Sequence, residues 1–361
     1  MFAVRMKWDD DLTLEHSVDT RRGLLQLAMY AMHVGTGQTL HCKTIKVATV
    51  KQYVRAAATF LALFGDKTRD YRKNYATDTA ISSTLVSVYN ELARWESVPD
   101  RREPYTLEML IYLKQSVERA ASCRDSLIAA MADWFECGLF AGLRLAEWAQ
   151  DAYCANFGSY KRDFKQQARA FCLGDVRFED DMRTRFSAKQ VLESKVHTSM
   201  RKCWIKFRTQ KNGQHGEERL FTRNENGKCF VQAMLRIISR FERIVGIHDE
   251  STPLALYKNK GEEEPKFITA SDIEKVMRHT AAEVYKLNPG KDKKILQKWS
   301  AHSLRVGACV ILHAMGCTES QIQWLLRWRS NAFMVYLRNV AILSSMHHKI
   351  LDEAAAMPHF F

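Results

Sequence analysis

Proline and glycine are scarce, six and sixteen among 361 residues, which excludes collagen-like and linker-dominated chains. No apolar run approaches the ~18 residues that a membrane-spanning helix needs. The opening stretch, Met1-Phe2-Ala3-Val4-Arg5-Met6-Lys7-Trp8 followed by three aspartates, lacks the apolar core of a signal peptide. The nine cysteines include no Cys-x-x-Cys pair, so zinc ribbons and thioredoxin-type motifs have no support. Their number is odd, and most sit in apolar strings such as Gly307-Ala308-Cys309-Val310-Ile311, as buried thiols in a reducing compartment do. No metal-ligand spacing, internal repeat or low-complexity tract is visible. The expectation is a soluble, intracellular protein with no metal and no cofactor.

What is abundant is positive charge. Lys and Arg number 54 against 41 Asp and Glu, a net charge of +13. Apolar residues make up 46%, enough to bury real cores, so a wholly disordered chain is excluded. The charge excess points to a polyanion, nucleic acid or an anionic membrane face, or else to a basic surface that serves solubility alone. The length suits two domains.

No proline precedes Pro99, and Pro99 and Pro104 bracket a short charged connector. Before it, helical periodicity predicts helices over about 12–34, 47–64 and 77–96. This is a small all-helical domain, 1–99, joined by a linker, 100–105, to a second domain, 106–361. The second opens with helices over about 106–121 and 124–149. The period then changes. Residues 170–178 and 202–208 read as strands, Lys211-Asn212-Gly213 as a turn, and 218–221 as a returning strand. Helices return over about 229–246, 271–287, 302–315 and 319–327. Ser271 with Glu274, and Thr318 with Gln321, have capping-box spacing, and segment 258–266 reads as a solvated loop. The fold class is mainly α with a small antiparallel β-sheet.

Two stretches carry chemistry. In Ala141-Gly142-Leu143-Arg144-Leu145-Ala146-Glu147 an arginine sits in an apolar helix end with a glutamate three residues on, so Glu147 can orient Arg144. In Ala301-His302-Ser303-Leu304-Arg305, His302 and Arg305 share a helix face, and Arg327-Trp328-Arg329-Ser330-Asn331-Ala332-Phe333-Met334-Val335-Tyr336 follows. Singly, each residue has a plain structural reading: a partly buried salt bridge, a core tryptophan, an interface tyrosine. Together they can converge on one anion.

In these motifs and their order, from about 104 to 340, the chain resembles the tyrosine recombinase, or phage integrase, superfamily. Arg144 stands in the family's Gly-Leu-Arg-x-x-Glu box, Lys211 in its β-hairpin, and His302 and Arg305 form its His-x-x-Arg box. Trp328 follows Arg305 by 23 residues, the family's usual spacing, and Tyr336 follows Trp328 by 8, one fewer than in many bacterial and phage members. Arg327 stands where many members carry glycine. The string around Trp328 is more similar to eukaryotic mobile-element recombinases of the Crypton kind.

The resemblance implies a helical core-binding domain ahead of an α+β catalytic domain, the two closing around double-stranded DNA, and a homotetramer on paired sites. It implies phosphoryl transfer without metal or ATP. Tyr336 attacks a phosphodiester, Arg144 and Arg305 clamp its oxygens, His302 and Trp328 add hydrogen bonds, Lys211 protonates the leaving 5′-oxygen, and Glu147 supports Arg144. The expected location is at DNA, in the nucleus of a eukaryote or the cytoplasm otherwise. Lys46, Lys51 and Arg55 are expected to meet DNA from the N-terminal domain. A type IB topoisomerase-like nicking-closing enzyme and an inactive DNA-binding relative of a mobile element share these features.

Overall fold

A computed structural model describes residues 20–38, 44–64, 70–73, 80–96, 102–119, 123–150, 155–157, 170–208, 216–225, 227–246, 250–328 and 330–337. The chain forms two compact units, Met1–Pro99 and Asp100–Phe361.

Unit 1 is helical: α1 (Thr20–Gly35), α2 (Val47–Phe64) and α3 (Ser83–Arg94). Their apolar stripes meet in a core that includes Leu27, Ala31, Val50, Val54, Leu85 and Leu92. The helix expected from 77 begins at Ser83, because Ile81 pairs with Lys73 in a β-bridge and Ser82 caps the helix, accepting from the Thr84 N–H at 3.3 Å.

Unit 2 is built on α5 (Leu127–Ala141), which packs against α4 (Leu107–Arg119), α8 (Phe230–Val245) and α11 (Ser303–Ala314). A helix apolar nearly all round has to lie inside a domain, and α5 is buried from Ala129 to Leu139. Its two buried carboxylates are met from α8: Arg236 donates to Asp133 at 2.6 Å and to Glu136 at 2.7 Å, and Arg240 to Asp133 at 2.5 Å. Such pairing makes buried charge tolerable.

The sheet has the order β2-β1-β3-β4, all antiparallel, from β1 (Val176–Asp180), β2 (Arg185–Ser187), β3 (Met200–Phe207) and β4 (Glu217–Thr222). Cys203, Ile205 and Phe207 alternate into the core, as the sequence pattern requires. Residues 188–194 form α7 (Ala188–Ser194), capped by Ser187. A two-stranded ribbon joins β5 (Leu256–Tyr257) to β6 (Lys266–Phe267), so the expected loop is the turn of a hairpin. After α9 (Ala270–Tyr285) and α10 (Lys293–Leu296), α11 leads through α12 (Glu319–Leu325) and a 3₁₀ turn at Asn331–Phe333 to α13 (Met334–Leu337).

Three further local expectations change. The linker 100–105 is docked from residue 102 onward. The Glu103 N–H donates to Lys298 O at 3.2 Å, Tyr105 N–H to Ser303 O at 2.9 Å, and the Trp299 indole to Pro104 O at 3.1 Å. Tyr105 is fully buried. The cap of α9 is Thr269 with Asp272, two residues before the expected Ser271–Glu274 box. The helix expected over 124–149 stops at Ala141, where Gly142 turns left-handed at φ 55° and a Cβ would lie 2.7 Å from Leu326 Cδ2. A short α6 (Leu145–Trp148) follows. Cys137, Cys172, Cys203, Cys229 and Cys309 are buried, as their apolar surroundings imply.

Candidate active site

The break at Gly142 makes the first half of the site. Arg144 becomes the N-cap of α6 instead of lying inside a helix, so it meets Glu147 across a helix start. Glu147 Oε2 accepts the Arg144 backbone N–H at 2.8 Å, and Oε1 accepts the Arg144 guanidinium at 2.9 Å. Glu147 is buried; the Arg144 side chain is about a quarter exposed.

The second half comes from α11. His302 is its N-cap residue and Arg305 lies in its first turn. Arg305 donates to Gly142 O at 2.5 Å and also to Leu326 O. Arg144 donates to the next carbonyl along, Arg327 O, at 3.0 Å. Both arginines therefore lie against one turn, between α12 and Trp328. The Trp328 ring sits 4.4 Å under the Arg305 guanidinium. Among the described residues its indole N–H meets no hydrogen-bond acceptor.

Tyr336, on α13, places its hydroxyl 2.8 Å from His302 Nε2. Phe333 and Leu337 anchor α13 in a small core with Ala308, Cys309, Ile322 and Leu326. Ser330 precedes the 3₁₀ turn but makes no side-chain cap bond, so α13 is placed by this packing and not by a cap.

The electrostatics are lopsided. Glu147 bonds Arg144 and Arg327 and acts through space on Arg305, and among the described residues the other carboxylate felt by Arg327 is Glu217. Burial pulls Arg305 down to about 9, assisted by Arg144 and Arg327, and Arg327 down to about 10. Burial, then Arg305, Arg102 and Arg144, hold His302 at about 4, so its imidazole is neutral at neutral pH. Burial raises the Tyr336 hydroxyl above its ordinary value, with Arg305 pulling the other way. The pocket is thus short of negative charge, and a phosphodiester fits that deficit. Among the described residues, no cluster of His, Cys, Asp and Glu is placed to hold a metal ion.

Arg144, Glu147, His302, Arg305, Trp328 and Tyr336 thus converge. Lys211 lies outside the described residues, as do its turn, His215, His347-His348 and the C-terminal segment 340–356. Lys46, Lys51 and Arg55 are exposed in unit 1, with the Lys51 ammonium 5.1 Å from the Tyr89 ring centre. Sequence reasoning treated Arg327 only as a departure from a glycine. It is 4% exposed and bonds to Glu147 at 2.9 Å and to Ala141 O at 3.1 Å. The signal was available, a lone arginine between Leu325-Leu326 and Trp328, the same kind of signal that singled out Arg144.

No protein-family model matches the chain, and no curated protein matches its sequence. Among solved structures it is similar to a Tn1549 transposon integrase in complex with circular intermediate DNA, at 14% identity and a TM-score of 0.40, over 87% of this chain and 80% of that one. It is also similar to XerA recombinase, at 14% identity and a TM-score of 0.36, over 90% of this chain and 98% of that one. Among the described residues, no helix is long and apolar enough to cross a membrane.

Proposed function

We propose that the chain is a DNA-cleaving and -rejoining tyrosine recombinase of the integrase type, with unit 2 as the catalytic unit. The observation that carries this reading is the 2.8 Å contact between Tyr336 Oη and neutral His302 Nε2, set against the arginine cluster. A nucleophile within hydrogen-bond reach of a base, beside preorganised cations, is the arrangement that covalent phosphoryl transfer requires.

In this reading a phosphodiester sits between Arg144 and Arg305, whose planar forks hold its nonbridging oxygens and balance their charge in the transition state. The Trp328 N–H donates to one of them. The phosphate's charge cancels the part of His302's depression that the arginines cause, making the imidazole a better base as DNA binds. Tyr336 Oη attacks phosphorus and its proton passes to His302 Nε2. The P–O5′ bond breaks, and the 5′-oxygen takes a proton, which we assign to Lys211. The product is a 3′-phosphotyrosyl link with a free 5′-hydroxyl. Attack by a 5′-hydroxyl of another strand reverses these steps and rejoins DNA without ATP. A homotetramer on paired sites and phosphate contacts from Lys46, Lys51 and Arg55 belong to the same proposal, as does a nuclear location in a eukaryotic host.

The test is a nicked suicide duplex, from which the short fragment bearing the new 5′-hydroxyl diffuses away. Wild-type protein should accumulate a covalent adduct stable in detergent, and Tyr336→Phe should form none while binding DNA normally. Wild type and Tyr336→Phe equally inert would leave a DNA-binding protein without catalysis.

A further inference from the structure

The turn between α12 and Trp328 has a peculiarity that the reaction above does not use. Arg327 adopts the left-handed backbone conformation, at φ 56°. Outside glycine this conformation costs roughly 1–2 kcal/mol. The same turn directs two consecutive carbonyls at the clamp, with Leu326 O accepting from Arg305 and Arg327 O accepting from Arg144. A glycine would supply that backbone without strain. The arginine therefore contributes through its side chain.

That side chain reaches back to the junction of α5 and α6. One arm of its fork donates to Ala141 O at 3.1 Å and the other to Glu147 Oε2 at 2.9 Å. The guanidinium stacks on the ring of Phe207, the last residue of β3, 3.7 Å from its centre. The turn that holds both clamp arginines is thereby fastened to the helix start that carries Arg144 and to the strand leading into the hairpin. On β4, Arg219 lies 4.5 Å over the Trp324 ring of α12, a second tie between sheet and turn.

We infer that Arg327 is a positioning residue of the phosphate clamp: its forked side chain staples the 326–327 turn to Glu147, Ala141 and Phe207, and so sets the orientation of Arg144 and Arg305. The inference rests on the reading of unit 2 as a phosphodiester-cleaving unit. It differs from a plain charge effect, which any buried cation would supply. A lysine carries the charge but has no fork, cannot make both bonds and the stack together, and is a poorer match for a planar site.

The experiment compares wild type, Arg327→Gly and Arg327→Lys on the suicide duplex. Folding is followed by circular dichroism, DNA binding by titration, and single-turnover adduct formation at saturating DNA. Arg327→Gly keeps the backbone and removes the staple. It should fold, bind DNA within about threefold of wild type, and form adduct on the order of 10²-fold more slowly, the usual consequence of a misplaced reacting group. Added guanidinium ion should recover much of that loss by refilling the same pocket. Arg327→Lys should stay slow. A wild-type rate in Arg327→Gly overturns the inference. So does a wild-type rate in Arg327→Lys, which would show that charge alone suffices. An equal loss of binding and rate in Arg327→Gly, with no recovery by guanidinium, overturns it in favour of a merely structural arginine. Should Arg327→Gly not fold, Arg327→Lys decides alone. A wild-type protein that forms no adduct overturns the functional reading itself, and the inference with it.

Discussion

Glu147 is the counter-charge of the pocket, and replacing it with glutamine tests the charge balance directly. Its Oε2 accepts from the Arg144 backbone N–H at 2.8 Å and from Arg327 at 2.9 Å, and its Oε1 from the Arg144 guanidinium at 2.9 Å. Glutamine keeps one acceptor, turns the other into a donor, and removes the negative charge. A donor then faces donors, and three arginine charges lose the carboxylate that they share. Breaking a buried pair from one side costs about 3–5 kcal/mol. The Arg144 side chain is 24% exposed and recovers part of its loss from water, which favours the lower end of that range. For a unit of this size, about 3 kcal/mol corresponds to a fall in melting temperature of roughly 6–12 °C. The assay is thermal unfolding with and without duplex DNA. DNA phosphate supplies charge of the missing sign, so DNA should raise the melting temperature of Glu147→Gln more than that of wild type. A variant that melts with wild type, or gains no more from DNA, would refute the view that the pocket is short of negative charge.

Two further outcomes follow. His302, held at about 4 against an ordinary value of 6.5, takes up its proton in the unfolded chain first. Its contribution to stability is thus complete above pH 6.5 and lost as pH falls toward 4, by roughly 2 kcal/mol at pH 5. Urea unfolding at pH 7 and pH 5 should show that loss in wild type and not in His302→Asn; identical pH responses would contradict it. Gly307 of α11 packs against the docked connector so closely that an added Cβ would collide with Tyr105 O. Because that atom is backbone, Gly307→Ala should cost at least about 2 kcal/mol in denaturant unfolding, and a neutral result would show that the connector yields.

The helices with a clean stripe, α2 and α8, and the alternating β3 were readable because burial imposes one period on each. The cap of α9 was misplaced by two residues because two overlapping pairs, Thr269 with Asp272 and Ser271 with Glu274, have the same spacing, and the chain uses the first. The break after Ala141 was hidden because α5 is buried to its end and the residue that caps α6 is an arginine, not one of the usual capping residues; only Gly142 marks it. At the site, the order of Arg144, His302, Arg305, Trp328 and Tyr336 was legible as a motif. Their distances were not, since they depend on α13 packing beside α11 through Phe333 and Leu337. Arg327 was noticed only as a departure from glycine, because its contacts depend on a left-handed turn and on partners about 180 residues away in sequence, Glu147 and Ala141.

The central claim is that Tyr336 forms a covalent bond to DNA. After incubation with a suicide duplex, the protein is digested with protease and nuclease, and the peptides are sequenced by mass spectrometry. The account predicts one modified peptide, carrying a nucleotide 3′-phosphate on the Tyr336 oxygen and absent from Tyr336→Phe. A nucleotide on any other side chain, or an adduct of wild-type yield from Tyr336→Phe, would contradict it.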